Sequence, residues 1–275
     1  MSAASPSSSP AVPSSSAPSV PTQTAALPAG GAIPLLGFGT WQLSGPTARN
    51  SVEHALAAGY RHLDTATIYR NETEVGAGLR DSDVDRSSVF LTTKCPPDRA
   101  TEARAVLDQS LEALGVDAVD LWLVHWPPND PVALWEVFLQ AQSDGLTVDV
   151  GVSNFDLDQL DELERATGVP AAVNQCRWSP LLFDRAFLEG HRERGVVLKG
   201  YSGLRGGALE HPVITGIAER LGRTPAQVIN RWHLQHGVVT IPKSATPERI
   251  RSNADLDGFQ LSAEELSALD GAGAT

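Results

Sequence analysis

From Ile33 onward, short runs of apolar and β-branched residues alternate with longer stretches in which apolar side chains recur every third or fourth position. The short runs predict buried strands and the longer stretches amphipathic helices. A "GG" between apolar runs, in "LPAGGAIPLLGFGTW", suits a hairpin that leads into a strand at Leu36 to Thr40. A helix through "ARNSVEHALAAG" follows, then a strand in "HLDTA", a helix from Glu72 and a strand in "SVFLTTK". "TEARAVLDQSLEALG" is the clearest helix. Its Val106, Leu107, Leu111 and Leu114 form one apolar face, and Gly115 suits a left-handed cap. Beyond it come the strand "AVDLWLVHW", the helix "PVALWEVFLQAQ", the strand "TVDVGVSN" and the helix "LDQLDELERA". The strand "AAVNQ", the helix "RAFLEGHRERG" and the strand "VVLKGYS" continue the alternation. Helices through "ITGIAERLG" and "PAQVINRWHLQHG", the strand "VVTIPKS" and a last helical pair near "ERIRSNADL" and "SAEELSALD" complete it.

Eight strands, each followed by helix, over about 245 residues match the size of one α/β (β/α)8 TIM barrel. The competing architecture is an open doubly wound sheet. The eight-fold count favours the barrel, and no G-x-G-x-x-G opens a helix, so the dinucleotide fingerprint of the open sheet is missing. G-x-x-x-x-G-K-[ST], H-E-x-x-H and G-x-S-x-G are also absent. His233 and His236 share a helix face but have no third ligand nearby. They read as surface residues, and no metal site is expected.

The first stretch of the chain is Ser, Pro and Ala, and its first charged residue is Arg49. Such a composition buries too little apolar surface to offset its ordering entropy. Residues 1–28 are therefore expected to be a disordered tail, and residues 29–275 the barrel. The stretch lacks the basic start and compact apolar run of a secretory signal, and no run has the length of a membrane span. The chain carries 21 basic and 33 acidic residues, which argues against a nucleic-acid or membrane-surface partner but leaves room for one basic pocket. Cys95 and Cys176 are its two cysteines, read as free thiols in a reducing compartment. A cytoplasmic monomer acting on a small molecule is expected.

In a barrel, residues at the C-terminal ends of strands and in the loops after them converge on one mouth. Asp64 ends the second predicted strand, and Tyr69 lies in the loop after it. Lys94 ends the third and His125 the fourth, with Asn154 and Gln175 at the ends of the fifth and sixth. Each residue alone has an ordinary explanation as a loop cap, a rim side chain or an exposed charge. Together they make one device. A buried ammonium beside a phenol favours the phenolate and lowers its pKa, and a carboxylate beside the ammonium holds it charged and in place. A neutral His125 imidazole is suited to donate a hydrogen bond to a substrate oxygen. Tyr69 would then be a general acid for a developing alkoxide.

"GFGTW", "LDTATIYRNE", "LTTK", "LVHWP", "GVSNF", "NQ" before "SP" and "IPKSATPERIRSN" resemble, in order, the motifs of the aldo-keto reductases. Within that family the likeness is to the bacterial diketogluconate-reductase type. The resemblance implies a (β/α)8 barrel that uses NADPH to reduce aldehydes or ketones, with Asp64, Tyr69, Lys94 and His125 as catalytic tetrad and Tyr69 as proton donor. It implies cofactor contacts from Thr40, Asp64, Ser153, Asn154, Gln175, Tyr201, Ser202, Leu204, Lys243, Ser244, Arg249 and Asn253. Among these, Tyr201 would stack on the nicotinamide, while Lys243 and Arg249 would hold the adenosine phosphate. Trp41, His125 and Trp126 would face the substrate. "SGLRGG" departs from the family in lacking the proline of the usual "SPLG".

Two other readings fit part of the pattern. A Schiff-base aldolase would use Lys94 as nucleophile but leave "IPKSATPER" and Tyr201 idle. A non-catalytic NADPH-binding sensor would leave the tetrad idle.

Overall fold

The computed structural model describes residues 20–274. An antiparallel hairpin of β1 (Thr24–Ala26) and β2 (Ala32–Pro34) comes first, with Ala25 opposite Ile33. Gly30, at φ 89°, makes its turn. The parallel strands and their helices then alternate. They are β3 (Phe38–Gly39), α1 (Gly45–Ala57), β4 (His62–Asp64), α2 (Glu72–Arg80), β5 (Phe90–Cys95) and α3 (Ala103–Leu114). Next are β6 (Val119–Val124), α4 (Pro131–Ser143), β7 (Thr147–Ser153), α5 (Leu157–Thr167), β8 (Val173–Arg177) and α6 (Arg185–Glu193). Last are β9 (Val197–Tyr201), α7 (Pro212–Leu221), α8 (Pro225–Gln235), β10 (Val239–Thr240), α9 (Pro247–Ala254) and α10 (Ala263–Asp270).

The eight strands from β3 to β10 pair in chain order, all parallel. The sheet curls until its edges meet. Leu36 bridges Thr240, the Gly37 N–H donates to the Thr240 carbonyl at 2.8 Å, and the Thr240 N–H donates to the Leu35 carbonyl at 2.7 Å. That contact between first and last strands excludes the open doubly wound sheet, which keeps two free edges.

The helices cover the sheet with the faces their sequences predict. On α3 the side chains of Val106, Leu107, Leu111 and Leu114 are buried, and Gly115 closes the helix at φ 70°. Trp122 of β6 stacks on Phe138 of α4 with ring centroids 3.6 Å apart. Several strands are shorter than their apolar runs, because the chain leaves the ladder as soon as it reaches the mouth. "HLDTA" pairs only over His62–Asp64, and "VVTIPKS" only over Val239–Thr240.

Two expectations are corrected. The tail expected over residues 1–28 overlaps β1, and Leu27 is buried in the core. Residues 1–19 of that segment lie outside the described residues. The hairpin has a docking site: the Ala29 N–H donates to Asp149 Oδ1 at 3.2 Å near the start of β7, and the Pro34 carbonyl lies 3.2 Å from His62 Nδ1 at the start of β4. It therefore sits against the N-terminal ends of the strands, opposite the mouth. His233 is also not a surface residue. It is fully buried, its Nδ1 is 2.8 Å from the Ile229 carbonyl, and its ring packs against Gly200. A Cβ at Gly200 would lie 2.9 Å from His233 Nε2, so glycine there lets α8 approach β9. His236 bonds Asp270 at 2.8 Å. Among the described residues no group of three metal-ligating side chains forms.

Candidate active site

The stretch "DTATIYRNE" connects β4 to α2 and is anchored from below. Asn71, fully buried, donates to the carbonyls of Thr40 at 2.9 Å and Leu43 at 2.8 Å, and accepts from Thr65 Oγ1 at 2.9 Å. Thr67 Oγ1 donates to the Lys94 carbonyl at 2.9 Å. Between these ties, residues Thr67–Tyr69 form one tight helical turn, and Arg70 reverses the chain at φ 55°. Tyr69 thus has a defined place above the ends of β4 and β5. Gln42, Arg70, Asn154 and Ser202 are the non-glycine residues with positive φ among those described, and all four lie in or beside the mouth. Left-handed backbone at non-glycine positions costs energy and concentrates where side-chain placement matters.

Beneath Tyr69 lies a buried ion pair. Lys94 Nζ is 2.7 Å from Asp64 Oδ1 and donates to the Thr65 carbonyl at 2.6 Å, and neither ion is exposed beyond 2%. The ammonium lies 5.1 Å from the centroid of the Tyr69 ring. Burial alone would lower the Lys94 pKa, but Asp64 and Tyr69 outweigh it and hold the lysine charged. This argues against Lys94 as a Schiff-base nucleophile, which needs a free amine within reach of substrate. The expected direction for Tyr69 is corrected: its pKa is raised. Burial pushes the phenol up further than the Lys94 charge pulls it down. The His125 ring meets the Tyr69 ring edge-on, with centroids 5.8 Å apart. Burial, reinforced by the Lys94 charge, lowers the His125 pKa to about 3, so its imidazole is neutral.

A cavity of about 880 Å³ opens over these groups. Asp64, Tyr69 and His125 line its floor; Trp41, Ile68 and Trp126 stand at its rim, 41%, 50% and 48% exposed. Ser153, Asn154, Gln175, Tyr201, Ser202, Leu204, Lys243, Ser244, Arg249 and Asn253 all line the same cavity. Thr40 does not. It is fully buried and spends its hydroxyl on the Asp64 carbonyl at 3.0 Å, so its side chain shapes the strand end rather than meeting a ligand.

The residues suit a nicotinamide dinucleotide. Gln175 Oε1 is buried without a hydrogen-bond partner in the protein, which is costly unless a ligand donor meets it. Asn154 is held by three bonds: it donates to the His125 carbonyl at 3.2 Å and to Ser153 Oγ at 2.9 Å, and accepts from the Tyr201 hydroxyl at 2.9 Å. Lys243 and Arg249 form no ion pair among the described residues and flank the N-terminus of α9, where backbone N–H groups and the helix dipole favour an anion.

The aldo/keto reductase family model matches residues 35–274. This chain belongs to the aldo/keto reductase family. An aldo-keto reductase of Mycolicibacterium smegmatis is 43% identical over 246 residues, covering 87% of this chain and 90% of the relative. The methylglyoxal reductase DkgA of Escherichia coli K12 is 37% identical over 87% of this chain and 90% of its own length, which bears out the likeness to the diketogluconate-reductase type. The crystal structure of an aldo/keto reductase from Brucella melitensis superposes with a TM-score of 0.85 at 37% identity, covering 92% of this chain and all of that one. Members of the family are oxidoreductases that reduce carbonyl groups to alcohols.

Three groups at the site escaped the sequence reading. Lys199, on β9, is fully buried with its Nζ 2.8 Å from Asp64 Oδ2. Its signal was strand alternation, since Lys199 shares a face with Tyr201 two positions on. The other two, Asn71 and Arg205, carried no pattern of their own. The Arg205 guanidinium lies over the Trp41 ring, 4.5 Å from its centroid, and donates to Gln42 Oε1 at 2.7 Å.

Proposed function

We propose that this reductase is NADPH-dependent and converts small aldehydes, α-dicarbonyls or keto-sugars to alcohols, with Tyr69 as the proton donor. The observation that carries the reading is the Tyr69 phenol set over the buried Lys94–Asp64 pair at the floor of the cavity. When bound, the cofactor supplies a hydride for the carbonyl carbon. The electron pair of the C=O bond then moves onto the oxygen, and the Tyr69 O–H delivers its proton there. The phenolate left behind faces the Lys94 ammonium, which offsets its charge. The neutral His125 ring orients the carbonyl oxygen by hydrogen bonding. Tyr201 gives the nicotinamide a flat wall, Ser153, Asn154 and Gln175 bind its carboxamide, and backbone at Ser202 and Leu204 meets the pyrophosphate. Lys243, Ser244, Arg249 and Asn253 take the adenosine end.

Substrate breadth follows from the rim. Residues 127–130 are the whole connection between Trp126 and α4, and Trp41, Ile68 and Trp126 stay exposed. Such an open mouth makes few contacts to its substrate, so KM is expected at about 1 mM or above. That the relative DkgA is named a methylglyoxal reductase supports the α-dicarbonyl class.

The test is NADPH oxidation by the purified protein across aldehydes, diketones and keto-sugars. Turnover of several small carbonyls is expected. NADPH binding without turnover of any of them would favour the sensor reading, and strict selectivity for one bulky ketone would count against the open mouth.

A further inference from the structure

Asp64 is gripped by two ammonium groups, and only one belongs to the tetrad. Lys199 reaches it from β9, the far side of the barrel interior. Its Nζ has three neighbours: Asp64 Oδ2 at 2.8 Å, His62 Nε2 at 3.1 Å and Thr92 Oγ1 at 3.2 Å. The His62 tautomer follows from its other nitrogen. Nδ1 faces the Pro34 carbonyl, which only accepts, so Nδ1 carries the proton and Nε2 is an acceptor. Lys199 therefore donates to His62 Nε2 and Thr92 Oγ1 and pairs its charge with Asp64 Oδ2. The titratable groups facing it are Asp64 and His62 from β4 and Lys94 from β5.

A fully buried second cation beside one carboxylate is costly. Its effect is visible in the charge count. Lys94 and Asp64 alone make a neutral pair, in which Asp64 raises the proton affinity of Tyr69 while Lys94 lowers it. Adding Lys199 gives the buried cluster one net positive charge. Of the two cations, Lys199 also has the larger pull on Asp64, whose pKa burial would raise but which is held at about 2.

We propose that Lys199 is a positioning residue of the reductase: acting through Asp64, its buried charge keeps the cluster net positive and makes Tyr69 a stronger acid. This rests on the reading of Tyr69 as proton donor. Lys199 is fully buried and lines no part of the cavity.

The proposal predicts an alkaline limb in the rate. Burial lowers the Lys199 pKa to about 8 against the pull of Asp64, so its charge is lost at a pH where Tyr69 and Lys94, both raised, still hold their protons. Losing it leaves the cluster neutral and Tyr69 a weaker acid, so kcat should fall as pH rises through about 8.

The experiment is the pH profile of kcat and KM for wild type, Lys199→Met, Lys199→Arg and Tyr69→Phe. Lys199→Met should lower kcat at neutral pH roughly tenfold, leave the KM for NADPH within about twofold and abolish the limb. Lys199→Arg, which keeps the charge, should recover most of the neutral-pH rate and move the limb upward. A Lys199→Met enzyme with wild-type kcat and an unchanged limb would overturn the proposal. So would a wild-type profile flat through about pH 8, an outcome that needs no variant to fold. Near-normal turnover by Tyr69→Phe would instead sink the proton-donor reading, whatever Lys199 does.

Discussion

Tyr69 at rest is a neutral phenol, and that suits a proton donor. Burial raises its pKa, so the acid form is fully populated at neutral pH, while Lys94 lowers the cost of the phenolate formed when the proton leaves. Tyr69→Phe removes only the hydroxyl. Carbonyl reduction should fall by at least about a hundredfold, the low end for general acid catalysis, while NADPH affinity measured by fluorescence stays near wild type. Lys94→Met should be comparably severe, since it strips the phenolate of the ammonium it faces. The four residues of this device were legible because each ends a strand or follows one. The sign of the Tyr69 shift was not, because it depends on depth, and the sequence shows neighbours along the chain rather than distance from solvent. Lys199 was hidden for a related reason. Alternation places it on the inner face of β9, yet only the closed barrel brings that face across to Asp64.

At the scale of elements, α9 and the hairpin make separate predictions. The turn before α9 and its first helical turn carry Lys243 and Arg249 to one wall of the cavity. A charge-assisted bond to a phosphate is worth about 1.5–3 kcal/mol, enough for at least a tenfold preference for NADPH over NADH. Arg249→Ala should raise the Kd for NADPH strongly and that for NADH little, with added salt weakening the former more. Equal wild-type affinity for both cofactors at low salt would rule out this assignment. The hairpin reverses an expectation. Deleting residues 1–28 takes away β1 and the buried Leu27 and makes Ala29, whose N–H bonds Asp149, a chain end, so the melting temperature should drop measurably even if the mouth stays intact. An unchanged melting temperature would show that the hairpin docks without stabilising. The strand–helix alternation was readable because each element repeats one period over many residues. The hairpin turn was readable from its "GG", but β1 was not, since it is three short residues, Thr-Ala-Ala, of which only Ala25 is even half-buried.

The whole molecule holds an unusual share of its histidines away from water, and this sets its response to acid. His62, His191 and His233 are buried and His125 nearly so. Burial drives the His62 pKa well below its ordinary value, with the Lys199 charge adding to the effect, lowers that of His233 to about 4 and of His125 to about 3, and lowers that of His191. In the unfolded chain all four would titrate near pH 6.5. Below that pH the unfolded state therefore binds more protons than the folded one, and stability falls as pH drops until the folded pKa values are reached. Asp64 adds nothing in this window. Its folded pKa is about 2 and its ordinary value 3.8, so its contribution is lost only in stronger acid. Four protons of difference correspond to a slope of at most about 5.5 kcal/mol per pH unit once the unfolded histidines are charged. A typical domain has only about 5–15 kcal/mol to lose, so cooperative unfolding is expected about two pH units below the ordinary histidine pKa, near pH 4 to 5. Urea midpoints measured at descending pH check the slope. His233→Gln, which removes one of the four groups, should flatten it by about 1.4 kcal/mol per pH unit. A midpoint constant between about pH 7 and pH 5 would mean that these rings take up protons without unfolding the barrel.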